Sequence, residues 1–298
     1  MIKEEEIKIL QEEIIEESPF MSVSSFTKNK KTDDYYIYDK NGLDAFNTFF
    51  NSKDIRFENA TVHLKADIEY FGDWNPLNCT NSRSANFTFD GEGHTVEGLY
   101  LKKSAVAISG NEPIGFFGDV EQKVTIKNVK FIGARLAPGV TYAKWAGVVV
   151  GYHIQSALVI ENVTVERCTL LPADSGSKKI GGVVGFSSYQ NSSGNYSLKI
   201  SGCTVKDSEF SGDISVAGIS GTILNYYELM VGGNTVKVEN CSVSGCTFTV
   251  NAVLSQAAKD PVSVYVVDET REKNTENQDL TLFGARGCTE ENNEIIKK

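Results

Sequence analysis

Residues 126–131 read Ile-Lys-Asn-Val-Lys-Phe, and the chain returns to that shape as Ile-Glu-Asn-Val-Thr-Val at 160–165, Ile-Ser-Gly-Cys-Thr-Val at 200–205 and Val-Glu-Asn-Cys-Ser-Val at 238–243. With the third residue as column zero, and the related stretch 96–101 added, that column holds Gly98, Asn128, Asn162, Gly202 and Asn240. Two positions earlier stand Val96, Ile126, Ile160, Ile200 and Val238. One position later come Leu99, Val129, Val163, Cys203 and Cys241, and three later Leu101, Phe131, Val165, Val205 and Val243. Eight later, Val106, Leu136, Leu170, Phe210 and Phe248 form another apolar column. The residues between these columns are mostly polar or charged. Such alternation is the period-2 signature of a strand with one buried face. It slips once, at column zero, where Gly or Asn tolerates the left-handed backbone of a sharp bend. Column zero is therefore read as the corner of a coil.

A second element precedes each strand: GFFG (115–118), GVVVG (147–151), GVVG (182–185) and GISG (218–221). Each repeat is one unit that cannot bury its own apolar face and must stack on its neighbours. The 26 Gly, only six Pro and many β-branched residues favour strands. The expectation is an all-β chain: a right-handed parallel β-helix solenoid with an N-terminal capping helix. About six coils at ~4.8 Å per strand would stand ~30 Å tall.

The ends are expected to differ from the middle. Residues 41–50 (NGLDAFNTFF) read as a short helix, with Asn41 as N-cap and Leu43, Phe46, Phe49 and Phe50 as its apolar face. Residues 1–20 read as an acidic amphipathic helix or linker, 21–56 as an N-terminal cap, 57–267 as the β-helix and 268–298 as a closure or flexible tail. Segment 3–17 carries seven Glu against two Lys within a net charge of −10. That balance argues against a nucleic-acid partner, because such binding neutralises phosphates with basic side chains. No apolar run reaches the ~20 residues of a membrane span, and no signal peptide is visible.

The stretch 57–70, the run FTFDGEGHTVEGLYL (87–101) and IGFFGDV followed by IKNVKF together resemble the GLUG-repeat proteins of bacterial cell surfaces. The pattern covers residues 41–250 in order, most specifically at Phe89–Val96, with a Trp-Pro element matched by Trp74-Asn75-Pro76. The resemblance implies a right-handed β-helix of a secreted or cell-surface, adhesin-like protein.

Three clusters are candidates for chemistry. The acidic run Lys206-Asp207-Ser208-Glu209 with Asp213 is the densest carboxylate spot, yet the outward columns do not stack charges of one kind. Asp90, Glu92 and His94 could surround a cation, although Gly-Glu-Gly between strands is first of all turn chemistry. Cys203 and Cys241 share an inward column, and Cys168 and Cys246 share another with Ser208 between them; buried thiols are the simplest reading. His63 reads as a surface residue on a strand and His153 as the start of a loop. The reading calls for no catalytic residue, metal or cofactor.

The stretch between each closing glycine and the next strand lengthens along the chain. Insertions at one point of a repeat map to one face of a solenoid. Tyr152, Phe186, Tyr189, Tyr196, Tyr226 and Tyr227 fall in these stretches, with Tyr142 and Trp145 just before GVVVG. Their rings would suit a glycan or a host or cell-surface protein, or else would pack the loops onto the coil. The expected function is a non-catalytic surface protein for adhesion or glycan/protein recognition. A β-helix polysaccharide lyase or glycoside hydrolase, and a phage fibre or structural spacer, are the alternatives.

Overall fold

In a computed structural model of the chain, the residues described are 25–29, 31–52, 57–80, 86–105, 112–174, 179–188, 196–213, 215–224, 235–250, 262–263, 266–268 and 285–297. The acidic segment 1–20, Val106 and the charged stretch 269–284 lie outside them.

The described residues fold as a parallel β-solenoid of about four turns, 56% of them in strands, with one helix among them at the N-terminal end. One coil runs through strands Val124–Lys127, Lys130–Ile132, Arg135–Leu136, Trp145–Gly147 and Val150–Ile154 before the next begins at Ala157–Glu161. Equivalent strands stack in register, so the faces are sheets of nine, twelve, four and six strands. The four-stranded face marks the complete coils. Partial turns lengthen the others, which is why a sequence count nearer six overstates the full turns.

The register turns sequence columns into a core. Phe89, Ile126, Ile160, Ile200 and Val238 are successive partners on the nine-stranded face. Val96, Phe131, Val165, Val205 and Val243 are successive partners on the twelve-stranded face. All ten are wholly buried, at 0% exposure. Each buried side chain meets its own kind above and below, which excludes water from the axis.

The first row of the repeat needs correction. Val96 stacks on Phe131, not on Ile126. Gly98 is therefore not above Asn128. That place belongs to the turn at Gly91–Gly93, whose Gly91 and Gly93 amides donate to the carbonyls of Lys127 and Asn128. The sequence misleads because each coil has two corners, five residues apart. The first runs through Gly93, Asn128, Asn162, Gly202, Asn240 and Gly287, and the second through Gly98, Gly133, Arg167, Asp207, Gly245 and Asn292. All of these have φ between 50° and 90°. Gly98 is a second corner mistaken for a first.

At the N-terminal end, the helix Lys40–Asn51 covers the first coil. Its N-cap is Asp39, not Asn41: the Asp39 carboxylate accepts from the Gly42 amide at 2.9 Å. Leu43, Phe46, Phe49 and Phe50 are buried as expected, against Phe26, Tyr35, Phe57 and Phe87. Trp74 lies parallel on Phe116 at 4.6 Å and donates its indole N–H to the Phe116 carbonyl. At the other end, strands Ala285–Arg286, Thr289–Glu291 and Glu294–Lys297 pair onto the preceding coil. The solenoid thus continues through part of the segment read as a closure or flexible tail.

Candidate recognition face

The GxxG elements make a feature that periodicity does not reveal. Strands Trp145–Gly147 and Val150–Ile154 fold back on each other through an arch, as do Lys179–Gly181 with Val184–Ser188 and Ser215–Ala217 with Ser220–Leu224. A Cβ added at Gly181 would run into the Val184 carbonyl oxygen and crowd the Gly221 nitrogen. Glycine is needed here because two backbones touch. The residues flanking each arch meet seven positions apart. Trp145 stacks on Tyr152 at 4.3 Å, Lys179 lies 3.9 Å over the Phe186 ring, and Ser215 bonds Thr222 at 2.5 Å.

Trp145, Tyr152, Ile154 and Phe186 form a small apolar cluster separate from the main core. Lys144 caps Trp145 at 4.9 Å and Lys103 caps Tyr142 at 5.4 Å. Burial, then the nearby Asp119 and Glu121 carboxylates, push the Tyr152 hydroxyl well above the usual phenol range. Burial likewise raises the Glu121 carboxyl.

Behind the arch lies a buried polar chain. His153 is not at a loop start but inside strand Val150–Ile154, with 0% exposure. Its Nδ1 is 2.8 Å from Ser187 Oγ and its Nε2 3.1 Å from the Ser156 carbonyl oxygen. The carbonyl can only accept, so Nε2 carries the proton and Nδ1 accepts from Ser187. Ser187 in turn sits 2.5 Å from the Tyr196 hydroxyl, and the Tyr196 ring stacks on the imidazole at 5.0 Å. Burial holds the His153 pKa at about 3, so the ring is neutral.

These contacts place the expected ligand-binding residues. Tyr152, Phe186 and Tyr196 are 2%, 5% and 1% exposed. All three rings pack into the arch and the loop roots. Tyr189, Tyr226 and Tyr227 lie outside the described residues.

The loop roots are well defined. Between the six-stranded and nine-stranded faces, successive connections hold 7, 3, 2, 8, 10 and 16 residues, counted from Cys79 to Phe87, Val120 to Val124, Ile154 to Ala157, Ser188 to Ser197, Leu224 to Thr235 and Asp268 to Ala285. In-register pairing of the flanking strands puts all six at one corner of the solenoid.

The other candidate chemistry is dispersed. Asp90 pairs with Lys127 at 3.0 Å, Glu92 with His63 and Lys65, and His94 with Asp67, so the three do not converge on a cation. Hydrogen bonds from the Glu92 amide, Lys127 and Asn128 outweigh partial burial and lower the Asp90 pKa. Lys206 pairs with Glu166 at 3.0 Å, Asp207 forms a corner and Ser208 is buried. Cys203 and Cys241 do share a column, which Cys288 continues: its Sγ accepts from the Cys241 amide at 3.4 Å. Ser208 Oγ accepts from the Cys168 amide at 3.0 Å in the neighbouring column. All six cysteines are free, and burial raises the Cys168 thiol pKa to about 12. Among the described residues, no group of three or more His, Cys, Asp or Glu is arranged to hold a metal ion, and no helix is long and apolar enough to cross a membrane.

No protein-family model matches the chain, and neither a curated protein nor a solved structure is found to match it.

Proposed function

We propose that this protein is a non-catalytic recognition module of the cell surface, of the adhesin-like kind, that binds a glycan through the long connections at one corner of the solenoid. The observation that carries the reading is the convergence of six connections at that corner, the last three being the longest at 8, 10 and 16 residues. A stacked scaffold can carry long connections at one corner at little cost to its core. Segments 189–196 and 225–234 supply Tyr, Asn, Ser and Gly, whose rings, amides and hydroxyls suit sugar rings and hydroxyl groups. Tyr196, tied down through Ser187 and His153, roots the first long loop in the core. The GLUG resemblance supports the surface location.

A glycan array with the intact protein tests the reading. Binding that disappears when Tyr189, Tyr226 and Tyr227 are replaced together by Ala, with melting unchanged, is the expected result. Binding unaffected by that change would remove the corner as the site. Absence of glycan binding together with capture of a surface protein through the same tyrosines would move the ligand class to protein.

A further inference from the structure

Phe71 is the most exposed large apolar side chain among the described residues, at 57%, and it has a left-handed backbone at φ 40°. Aromatic residues seldom adopt that conformation, and doing so costs about 1–3 kcal/mol. It sits at a bulge in strand Ile68–Trp74, where pairing with Thr95–Leu101 shifts between Glu69 and Gly72. A bulge of this kind re-aims a side chain. The ring lies across Gly98, where an added Cβ would come within 2.5 Å of Phe71 Cδ1. One ring face therefore rests on backbone, and the other faces water.

Beside it, Glu69 and Glu97 are direct register partners on adjacent strands. Like charges so placed repel, and neither makes an ion pair with any described residue. Other carboxylates nearby are matched: Asp73 with Lys102 at 3.6 Å, and Asp44 with Lys40 at 2.9 Å. Three locally unfavourable features thus meet at one spot: a strained backbone, an exposed ring and an uncompensated carboxylate pair. Such violations gather where a partner is to be met.

The chain itself shows what completes this arrangement. At the preceding residue, Lys40 Nζ lies 4.0 Å over the Tyr70 ring while pairing with Asp44. Two coils along the same face, the Arg135 guanidinium stacks 4.3 Å over Tyr100. Ring and cation recur, joined at Tyr70 by a carboxylate, and Phe71 with Glu69 and Glu97 lacks only the cation. We propose that this site docks a basic segment of a partner protein, an arginine stacking on the free face of Phe71 and pairing with Glu69 and Glu97. Charge complementarity points the same way, since the chain carries a net −10. The site lies on the twelve-stranded face and is independent of the loop corner.

The test uses a fluorescent peptide of alternating Arg and Gly, titrated into the full chain at ~150 mM salt, where long-range attraction is screened. Phe71→Asn removes the ring while keeping a residue that tolerates the left-handed backbone. Glu69→Gln with Glu97→Gln removes the charges while keeping the ring. Each is expected to weaken binding about tenfold, the size of a desolvated cation–π contact or a good ion pair. Phe71→Trp should retain it, and Glu290→Gln with Glu291→Gln, exposed carboxylates elsewhere, should change it less than about twofold. Phe71→Asn should also melt no lower than the parent, a combination that a packing role would not give. Equal loss in the control variant, or no binding by the parent, overturns the proposal. So does a neutral oligosaccharide whose binding Phe71→Asn abolishes, because that would place a sugar on the ring.

Discussion

The two corners of each coil do the same geometric work with different residues. At the first, Asn128, Asn162, Gly202, Asn240 and Gly287 turn the chain. Their side chains also link coils: Asn162 Nδ2 donates to Asn128 Oδ1 at 3.2 Å, and Asn128 Nδ2 to Asp90 at 3.1 Å. At the second, Gly133, Arg167, Asp207, Gly245 and Asn292 adopt the same left-handed backbone. Arg167 and Asp207 hold φ 51° without belonging to the Gly/Asn set, and Arg167 merely pairs with the neighbouring Glu166. Both columns pass the same hydrogen bond along the stack. The Asn162 amide donates to the Ser201 carbonyl at 2.9 Å, and the Arg167 amide to the Lys206 carbonyl at 3.1 Å. Stacking fixes the bend, and residue preference only lowers its cost.

That contrast can be broken or sharpened in three ways. The largest effect is expected from acid, which acts on neither corner. His153 is neutral because burial depresses its pKa from the ordinary 6.5 to about 3. Its contribution to stability is therefore complete above pH ~6.5 and is lost as pH falls towards 3. Between pH 7 and 4 this amounts to about 3 kcal/mol. Urea melts should show that loss in the parent and a shallower profile in His153→Gln, while both corners come apart together. An equal pH profile in the variant would count against it.

Next in size is Asn162→Val. A β-branched residue in the left-handed region costs about 1–2 kcal/mol and the lost amide link about 1 more, so a destabilisation of about 2–3 kcal/mol is expected by denaturant titration. The smallest effect runs the other way. Arg167→Gly relieves the backbone cost, partly offset by the freedom glycine gains when unfolded, for a net gain of about 0.5–1 kcal/mol. A loss there would mean that Arg167 makes a contribution beyond its turn.

Most of the architecture was legible in the columns. Alternation around Asn128, Asn162, Gly202 and Asn240 gave strands, register and corner, because a stacked coil repeats its inward residues nearly unchanged. The second corner was hidden chiefly by Arg167, whose residue type does not favour a left-handed backbone, and by Asp207, which tolerates one but stands outside the Gly/Asn pattern. Gly98 then took a place in the wrong column, since Val96–Leu101 carries the same apolar spacing. The site was less legible than the fold. Lengthening connections were visible as sequence between glycines and strands, and the register places their roots together. The pairing of Trp145 with Tyr152 and Lys179 with Phe186 across an arch was not visible, because a glycine that touches backbone reads like one that merely turns. Nothing in the sequence marked Phe71, whose exposure and φ follow from a bulge.

The measurement that bears most directly on the account is NMR coupling across hydrogen bonds between amide nitrogens and carbonyl carbons. Couplings are expected from Asn128 to Glu161, Asn162 to Ser201 and Gly202 to Glu239 at one corner, with Gly133 to Glu166 and Arg167 to Lys206 at the other. Gly91 should couple to Lys127, which distinguishes the corrected first coil from the register suggested by Gly98. Couplings from Gly98 to Lys127, or corner amides that exchange freely with water and couple to no neighbouring coil, would contradict it.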